Sequence, residues 1–292
     1  MDERSALRLL AADLPAAGDD AAVVNGLVVT TDMLHETTDF PTGTTRYTAG
    51  WRAVAASLSD VAAMGADATA AVAAYGAPTL DETELRDFVR GAREACEAAG
   101  ADYVGGDLDT HGEFTVATTA LGETDAPILR SGATPGDVVC VTGALGRSAA
   151  ALRAFDAGDH DRANDLFRFT PRVAAGVALR PHATAAMDSS DGLARSLHQL
   201  ADASDCGFEV EWDAVPVHDA VTDYARDPDD ERAMIAYFGE DFELVFTLPA
   251  GAVSAVRDAL SVPLTVVGDV TREGVLADDV PLPDEGYTHA DD

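Results

Sequence analysis

One acidic stretch, with a predicted strand before it and a predicted helix after it, constrains the fold more than any other part of the chain. The apolar run 183–187 leads into Asp188-Ser189-Ser190-Asp191-Gly192, and a helical pattern of apolar residues follows over 193–203. Oxygen atoms that converge at a strand-to-helix turn are suited to a divalent cation and a phosphate. Ser and Asp are also preferred helix N-caps, and short acidic motifs occur by chance, so the stretch taken alone favours a cap at Ser190 or Asp191.

The charge of the chain restricts its partners. The sequence has 52 acidic and 19 basic residues, a net charge of −33, and every basic residue is Arg. Such a surface repels nucleic acid and anionic membranes, whereas a very salty cytoplasm screens its self-repulsion. We therefore predict a cytoplasmic, halophilic protein with no nucleic-acid partner and no membrane partner. The absence of lysine also excludes the phosphate-loop lysine of Walker-type enzymes and the strand lysine of protein kinases.

Length and composition allow two domains of ordinary size. The chain has 292 residues, 47% of them hydrophobic, and no apolar run is long enough to span a bilayer. The three cysteines, Cys96, Cys140 and Cys206, are widely spaced, which predicts reduced thiols and neither a disulfide framework nor a zinc site. The first two lie in apolar patterns and are predicted to be buried.

A loop-like segment between Gly122 and Gly136 predicts the domain boundary. It divides the chain into residues 1–125 and 126–292. The first part combines strand patterns with long helical patterns, which predicts a mixed sheet with helices on one side.

Three features of the second part carry further predictions. The glycine-rich turn 143–148 opens a helix and is suited to holding an anion. The acidic stretch 227–230 is predicted to be solvated. The tail from Asp278 is predicted to be loose, apart from Tyr287.

Six acidic residues share one setting, because each lies at a predicted element end or turn within two positions of Gly, Ser or Thr. They are Asp20, Asp32, Asp60, Asp107, Asp188 and Asp191. Asp60 is placed near a predicted helix C-terminus, where a negative charge opposes the helix dipole. One such acid means little, but six suggest a carboxylate cage for hard cations. Mg²⁺ prefers oxygen ligands and is usually held by a few carboxylates together with substrate phosphates.

An ordered set of short motifs resembles one enzyme family, although no single motif is specific. The motifs are Gly18-Asp19-Asp20-Ala21-Ala22, Thr30-Thr31-Asp32-Met33-Leu34, Ser59-Asp60-Val61-Ala62-Ala63-Met64-Gly65-Ala66, Gly105-Gly106-Asp107, Arg130-Ser131-Gly132, Asp188-Ser189-Ser190-Asp191-Gly192-Leu193 and Gly239-Glu240-Asp241-Phe242-Glu243-Leu244. Over about residues 3–275, the set resembles the thiamine-monophosphate kinases, whose superfamily includes aminoimidazole ribonucleotide synthetase and selenophosphate synthetase. The resemblance implies an α/β protein of two domains. The mixed N-terminal sheet would pair with its copy in a homodimer to give a central β-barrel, and an α/β C-terminal domain would complete the site. The reaction implied is ATP plus thiamine monophosphate giving ADP and thiamine diphosphate.

By position, the resemblance also implies three sets of site residues. The Mg²⁺ ligands would be Asp20, Thr30, Thr31, Asp32, Asp60, Asp107, Asp188 and Asp191. The ATP contacts would be Gly106, Asp107, Arg130 and Ser190. The substrate contacts would be Glu240, Asp39 and Tyr287. Asp39 stands where family members often carry a His, and Tyr287 is the nearest candidate for the family's aromatic residue near the C-terminus.

The chemistry of the implied reaction fits a site without a general base. A phosphate monoester has a second pKa near 6, so the acceptor is already ionised at pH 7. Mg²⁺ held between carboxylates can bridge two anionic phosphates, and Arg130 can contact the nucleotide phosphates. We therefore expect Mg²⁺-assisted direct in-line phosphoryl transfer, with no catalytic residue beyond the metal ligands.

Two alternatives remain open from the sequence. One is another ATP-dependent enzyme of the superfamily, of the aminoimidazole ribonucleotide synthetase or hydrogenase-maturation type; the latter would need a reactive C-terminal cysteine. The other is a non-enzymatic acidic protein whose carboxylates only hold cations.

Overall fold

Five strands form the first sheet of the computed structural model, which describes Leu14 and residues 16–287. They are β1 (Ala22–Val24), β2 (Leu27–His35), β3 (Asp67–Ala77), β4 (Asp102–Thr110) and β5 (Thr115–Glu123). The order is β1-β2-β5-β3-β4, with β3 and β4 parallel and the other pairs antiparallel. Among the described residues, three helices belong to this part of the chain: α1 (Glu36–Asp39), α2 (Arg46–Ala63) and α3 (Glu82–Ala99).

The two faces of the first sheet differ, because successive side chains of a strand point in opposite directions. Helices α2 and α3 pack on one face, and Val116 and Tyr75 of the sheet share a core with Val54 and Phe88 of these helices. The other face is open, and Met33 is 58% exposed there.

Seven strands form the second sheet, which is also mixed. They are β6 (Asp137–Thr142), β7 (Ala185–Asp188), β8 (Gly207–Val210), β9 (Leu244–Pro249), β10 (Leu264–Thr271), β11 (Val275–Ala277) and β12 (Val280–Pro281). The order is β12-β11-β8-β10-β6-β9-β7, and only β8 and β11 are parallel among the paired strands. The helices are α4 (Arg147–Asp156), α5 (His160–Phe167), α6 (Val173–Leu179), α7 (Leu193–Ser204), α8 (Val221–Tyr224), α9 (Pro228–Ala236) and α10 (Val253–Ala259), with 3₁₀ turns at Trp212–Ala214 and Ala250–Ala252.

The C-terminal end of α2 lies against the second sheet. Ala62 and Ala63 belong to one buried cluster with Leu179 of α6 and Leu244 of β9. A β-carbon on Gly176 of α6 would lie 1.9 Å from the Ala62 carbonyl oxygen, so only glycine permits this approach. The last turns of α2, which carry Asp60, are thereby fixed beside strand β7.

The structure confirms some of the local predictions and contradicts others. Cys96 and Cys140 are buried free thiols, as predicted. The predicted cap on α7 is wrong, because Gly192 is the N-cap residue and no side chain caps this helix. No helix of the described residues is both long and apolar enough to cross a membrane.

The acidic stretch is exposed at Asp227, Pro228 and Asp229, as predicted, but it begins a helix, and the tail is more ordered than predicted. Residues 227–230 begin helix α9, and the Asp230 carboxylate is buried between Arg226 and Arg153. In the tail, β12 pairs with β11, and Leu282 belongs to the core. Ion pairs and strand pairing at the sheet edge thus order two segments whose composition alone is typical of solvated loops.

Candidate active site

Three carboxylates from distant parts of the sequence form one cluster. Asp20 lies just before β1, Asp60 is in the last turn of α2, and Asp188 ends β7. One oxygen of each lies within 4.8 Å of the others. The two sheets each contribute to the cluster, because the end of α2 reaches from the first sheet to β7 of the second.

Burial is the main cause of the raised pKa values in this cluster. Asp188 is fully buried; its Oδ1 accepts the Ser190 N–H at 3.2 Å, and its Oδ2 has no partner among the described residues. Burial, together with the Asp20 charge, raises the pKa of Asp188 to about 7. Burial also raises the pKa of Asp60, and the charges of Asp32, Asp188 and Asp20 raise it further. A set of carboxylates that is costly to ionise is stabilised by a bound cation.

Arg130 supplies part of the counter-charge. Its Nη2 lies 3.0 Å from Asp20 Oδ1 and its Nε lies 3.3 Å from Oδ2, a bidentate contact. The Arg130 N–H also donates to Asp19 Oδ1 at 2.7 Å. Burial lowers the pKa of Arg130, but the Asp20 carboxylate outweighs that effect and raises it.

Two further predicted ligands border the cluster. The Thr30 hydroxyl donates to Asp60 Oδ2 at 2.5 Å. The Asp32 carboxylate accepts the Ser57 hydroxyl at 2.5 Å, and its charge acts on Asp60. Thr30 and Asp32 alternate with residues of the other face along β2, so both side chains point towards α2.

Three predicted ligands do not join the cluster within one chain. Thr31 points to the open face of the sheet and donates to the Thr118 carbonyl oxygen. Asp107 pairs with Ala74 on edge strand β4, three strands from β2, about 14 Å across the sheet, and it also faces the open side. The Asp191 carboxylate accepts the Gln199 amide at 3.2 Å. Within one chain, these three residues therefore lie apart from the cluster of Asp20, Asp60 and Asp188.

Packing between two strands requires a glycine at position 106. A β-carbon there would lie 1.7 Å from the Ala73 carbonyl oxygen, so glycine is required where β4 meets β3. Beside it, a cavity of about 430 Å³ lies between β4 and α3, with Phe88, Tyr103 and Asp107 among its lining residues.

The three predicted substrate contacts lie together. The Tyr287 hydroxyl donates to Asp39 Oδ1 at 3.4 Å, and burial, followed by the charges of Glu240 and Asp39, raises the pKa of Tyr287. The Tyr287 N–H donates to the Asp191 carbonyl oxygen at 3.0 Å, and the Glu240 N–H donates to the Ser190 carbonyl oxygen at 2.6 Å. The loop 188–191 therefore joins the substrate group to the carboxylate cluster.

The loop that carries Glu240 is held by its neighbour in sequence. Asp241 is buried and accepts the backbone N–H groups of Gly146 at 2.5 Å and Ser148 at 2.9 Å. The turn predicted to hold an anion thus holds a carboxylate of the chain itself. Burial raises the pKa of Asp241 to about 7.

Sequence reasoning missed Arg52, which pairs with Glu240 at 2.5 Å from inside α2. The sequence contained an indication of this role, because Arg52 is a lone cation on the helix face formed by Ala49, Ala53 and Ala56. The structure buries all three alanines.

Comparison with known proteins decides the family. The AIR synthase related protein N-terminal domain matches residues 18–124, and the C-terminal domain of the same description matches residues 134–280. A thiamine-monophosphate kinase of Halobacterium salinarum is 62% identical over 291 residues, 99% of this chain and 100% of the relative. This chain belongs to the thiamine-monophosphate kinase family.

Two further comparisons support the assignment to this family. A thiamine-monophosphate kinase of Methanospirillum hungatei is 39% identical over 305 residues, with 99% of each chain covered. The structure described as AaThiL complexed with AMPPCP and TMP has a TM-score of 0.89 at 27% identity, and covers 99% of this chain and 97% of that one. The resemblance drawn from the ordered motifs and the predicted α/β fold class are thereby confirmed.

Proposed function

We propose that this chain transfers the γ-phosphoryl group of ATP to thiamine monophosphate and releases thiamine diphosphate and ADP. The observation that carries the proposal is the loop 188–191, which joins a three-carboxylate cluster to the group of Asp39, Glu240 and Tyr287. A phosphoryl-transfer site needs a place for charge neutralisation next to a place for the acceptor. The relatives described above carry names and ligands that fit this assignment.

The donor atoms of the cluster fit Mg²⁺. They are carboxylate oxygens, and the Asp188 Oδ2 atom is buried without a hydrogen-bond partner among the described residues. We propose that Asp20, Asp60 and Asp188 hold the ion, with Thr30 and Asp32 beside them. When bound there, Mg²⁺ would supply positive charge that lowers the repulsion between the phosphate groups of donor and acceptor.

The residues of the chain contribute binding and orientation. Since the acceptor phosphate is ionised at pH 7, no side chain has to remove a proton, and transfer proceeds in line without a phosphoenzyme. Arg130 and Ser190 contact the phosphates of ATP from the two sides of the cluster, and Arg130 also limits the repulsion between Asp20 and its neighbours. Asp39, Glu240 and Tyr287 bind the thiamine end of the acceptor.

We also propose a homodimer in which the open face of the first sheet meets a second copy. Thr31, Gly106 and Asp107 would then reach the site of the partner, which explains their distance from the cluster of their own chain. An exposed apolar residue on that face, Met33, supports burial by a partner. The division into domains 1–125 and 126–292 belongs to the same proposal, supported by the separate strand pairing of the two sheets.

A cytoplasmic setting of high salt is proposed from the net charge of −33. The assay that tests the function is therefore carried out in molar KCl. Folded protein is supplied with ATP, MgCl₂ and thiamine monophosphate, and thiamine diphosphate and ADP are quantified. Equal amounts of the two products support the proposal. ADP without thiamine diphosphate, or no product, refutes it. Asp188→Asn is expected to abolish both products.

A further inference from the structure

Arg52 is a buried cation with several specific partners. Only 2% of its side chain is exposed, and its guanidinium carbon lies 3.6 Å from the centroid of the Phe167 ring. Its Nη1 donates to the Phe167 carbonyl oxygen at 2.8 Å, while its Nη2 donates to the Glu240 carbonyl oxygen at 3.2 Å and to Glu240 Oε2 at 2.5 Å. A buried cation is costly unless it is paired and hydrogen-bonded, and Glu240 supplies the carboxylate here.

Glu240 occupies a backbone conformation that non-glycine residues seldom adopt. Its φ is +62°, and the preceding Gly239 has a φ of +76°. Three contacts maintain this conformation. The Glu240 N–H donates to Ser190 O at 2.6 Å, and the Glu240 carbonyl oxygen accepts the Ser148 hydroxyl at 2.6 Å as well as Arg52.

The two carboxylate oxygens of Glu240 differ. Arg52 binds Oε2, whereas no donor among the described residues contacts Oε1. The side chain is 22% exposed, so it is open on one side. A carboxylate that binds a cation through one oxygen can accept a hydrogen bond at the other. Thiamine monophosphate carries both an amino donor and a cationic ring, and either complements such an oxygen.

We propose that Arg52 is a positioning residue that fixes Glu240 for recognition of the thiamine end of the acceptor; this inference rests on the proposed function. Arg52 does not belong to the carboxylate cluster, where we propose that the phosphates of ATP bind. Its substitution therefore affects binding of thiamine monophosphate and leaves binding of ATP unchanged.

The test compares Arg52→Met, which keeps the side-chain length, with Arg52→Lys, which keeps the charge. We expect Arg52→Met to raise the KM for thiamine monophosphate and its Kd by calorimetry about tenfold, as for a displaced charge-assisted hydrogen bond. The KM for ATP should not change. Arg52→Lys should recover part of the loss, since it keeps the ion pair but not the planar contacts.

The matched control is Arg180→Met. Arg180 likewise forms an ion pair, with Asp67 at 2.7 Å, and donates to a backbone carbonyl oxygen, that of Gly65, at 2.7 Å. Both KM values should remain unchanged in this variant. If Arg52→Met does not fold, Ser148→Ala decides the question, because it removes one contact to Glu240 without leaving a buried charge unpaired.

Three outcomes overturn the inference. They are an unchanged Kd for thiamine monophosphate in folded Arg52→Met, a parallel rise of the KM for ATP, and, where Ser148→Ala has to decide, an unchanged Kd in that variant. Failure of the proposed function is distinguished by the wild-type assay, because the wild-type protein itself then forms no thiamine diphosphate. Calorimetry with thiamine monophosphate still tests the role of Arg52 in that case.

Discussion

Asp188→Asn should stabilise the protein in the absence of divalent cations while abolishing its activity. Burial and the neighbouring charge of Asp20 raise the pKa of Asp188 from 3.8 to about 7, so the ionised carboxylate is unfavourable in the folded state. An asparagine amide removes the charge, and its N–H groups can donate to the carboxylates of Asp20 and Asp60. The substitution thus removes the unfavourable free energy of ionising a buried carboxylate, and the folded state becomes more stable.

The magnitude and its pH dependence follow from the two pKa values. Below pH 4 the carboxyl group is protonated in both the folded and the unfolded state, so the ionisation cost is absent. Between pH 4 and 7 the unfolded state ionises first, and the wild-type protein loses stability relative to the variant. The difference is about 2 kcal/mol at pH 5 and on the order of 4 kcal/mol at pH 8, since one pKa unit corresponds to about 1.4 kcal/mol. That corresponds to a shift of roughly 10 °C in Tm at pH 8.

The assay is thermal unfolding in molar KCl with EDTA at pH 5 and pH 8, repeated with MgCl₂. Mg²⁺ should raise the Tm of the wild-type protein at pH 8 and have little effect on the variant, because a ligand stabilises only the state that binds it. Asp202→Asn, on the exposed side of the neighbouring helix α7, is the control and should behave as wild type. A Tm for Asp188→Asn equal to or below that of the wild-type protein at pH 8 with EDTA refutes the reasoning.

Three further predictions concern salt, assembly and packing. Unfolding midpoints should rise between low and molar KCl, because salt screens a net charge of −33; a flat or falling series contradicts this. Mixing the inactive variants Asp107→Asn and Asp188→Asn should restore activity if Asp107 acts in the partner's site, since one site of the mixed dimer is then intact; no recovery from exchanged subunits argues for action within one chain. Gly176→Ala should destabilise the fold by about 3 kcal/mol in chemical denaturation, because its β-carbon meets the Ala62 carbonyl oxygen, while Gly251→Ala, with open space around it, should have no such effect.

The sequence was sufficient for the parts of the site that local patterns encode. Asp188 follows a short apolar run and precedes a helix, and both the strand β7 and the helix α7 lie where that pattern predicts. Asp60 opposed the dipole of its helix, and it lies in the three-carboxylate cluster. Positions that contradict a local preference were therefore informative.

The remaining parts depend on contacts between distant segments. Thr30 and Thr31 are neighbours in sequence, yet they point to opposite faces of the sheet. Arg52 and Glu240 meet across 188 positions of sequence, so no local pattern pairs them. The turn 143–148 had the chemistry for an anion, but tertiary packing places the Asp241 carboxylate of the same chain at the N–H groups of Gly146 and Ser148.

The loop 188–191 has a consequence for the coupling between cation binding and acceptor binding. Its side chain at Asp188 belongs to the carboxylate cluster, whereas its carbonyl oxygens at Ser190 and Asp191 hold the backbones of Glu240 and Tyr287. A shift of this loop on cation binding would therefore also move the backbones of Glu240 and Tyr287, two of the proposed acceptor contacts. Binding free energies at two coupled sites are reciprocal, so each ligand changes the affinity for the other by the same factor. The positive charge of the cation favours the anionic acceptor, which makes this coupling favourable. We therefore expect heterotropic cooperativity, in which the apparent affinity for the acceptor falls as free Mg²⁺ is withdrawn.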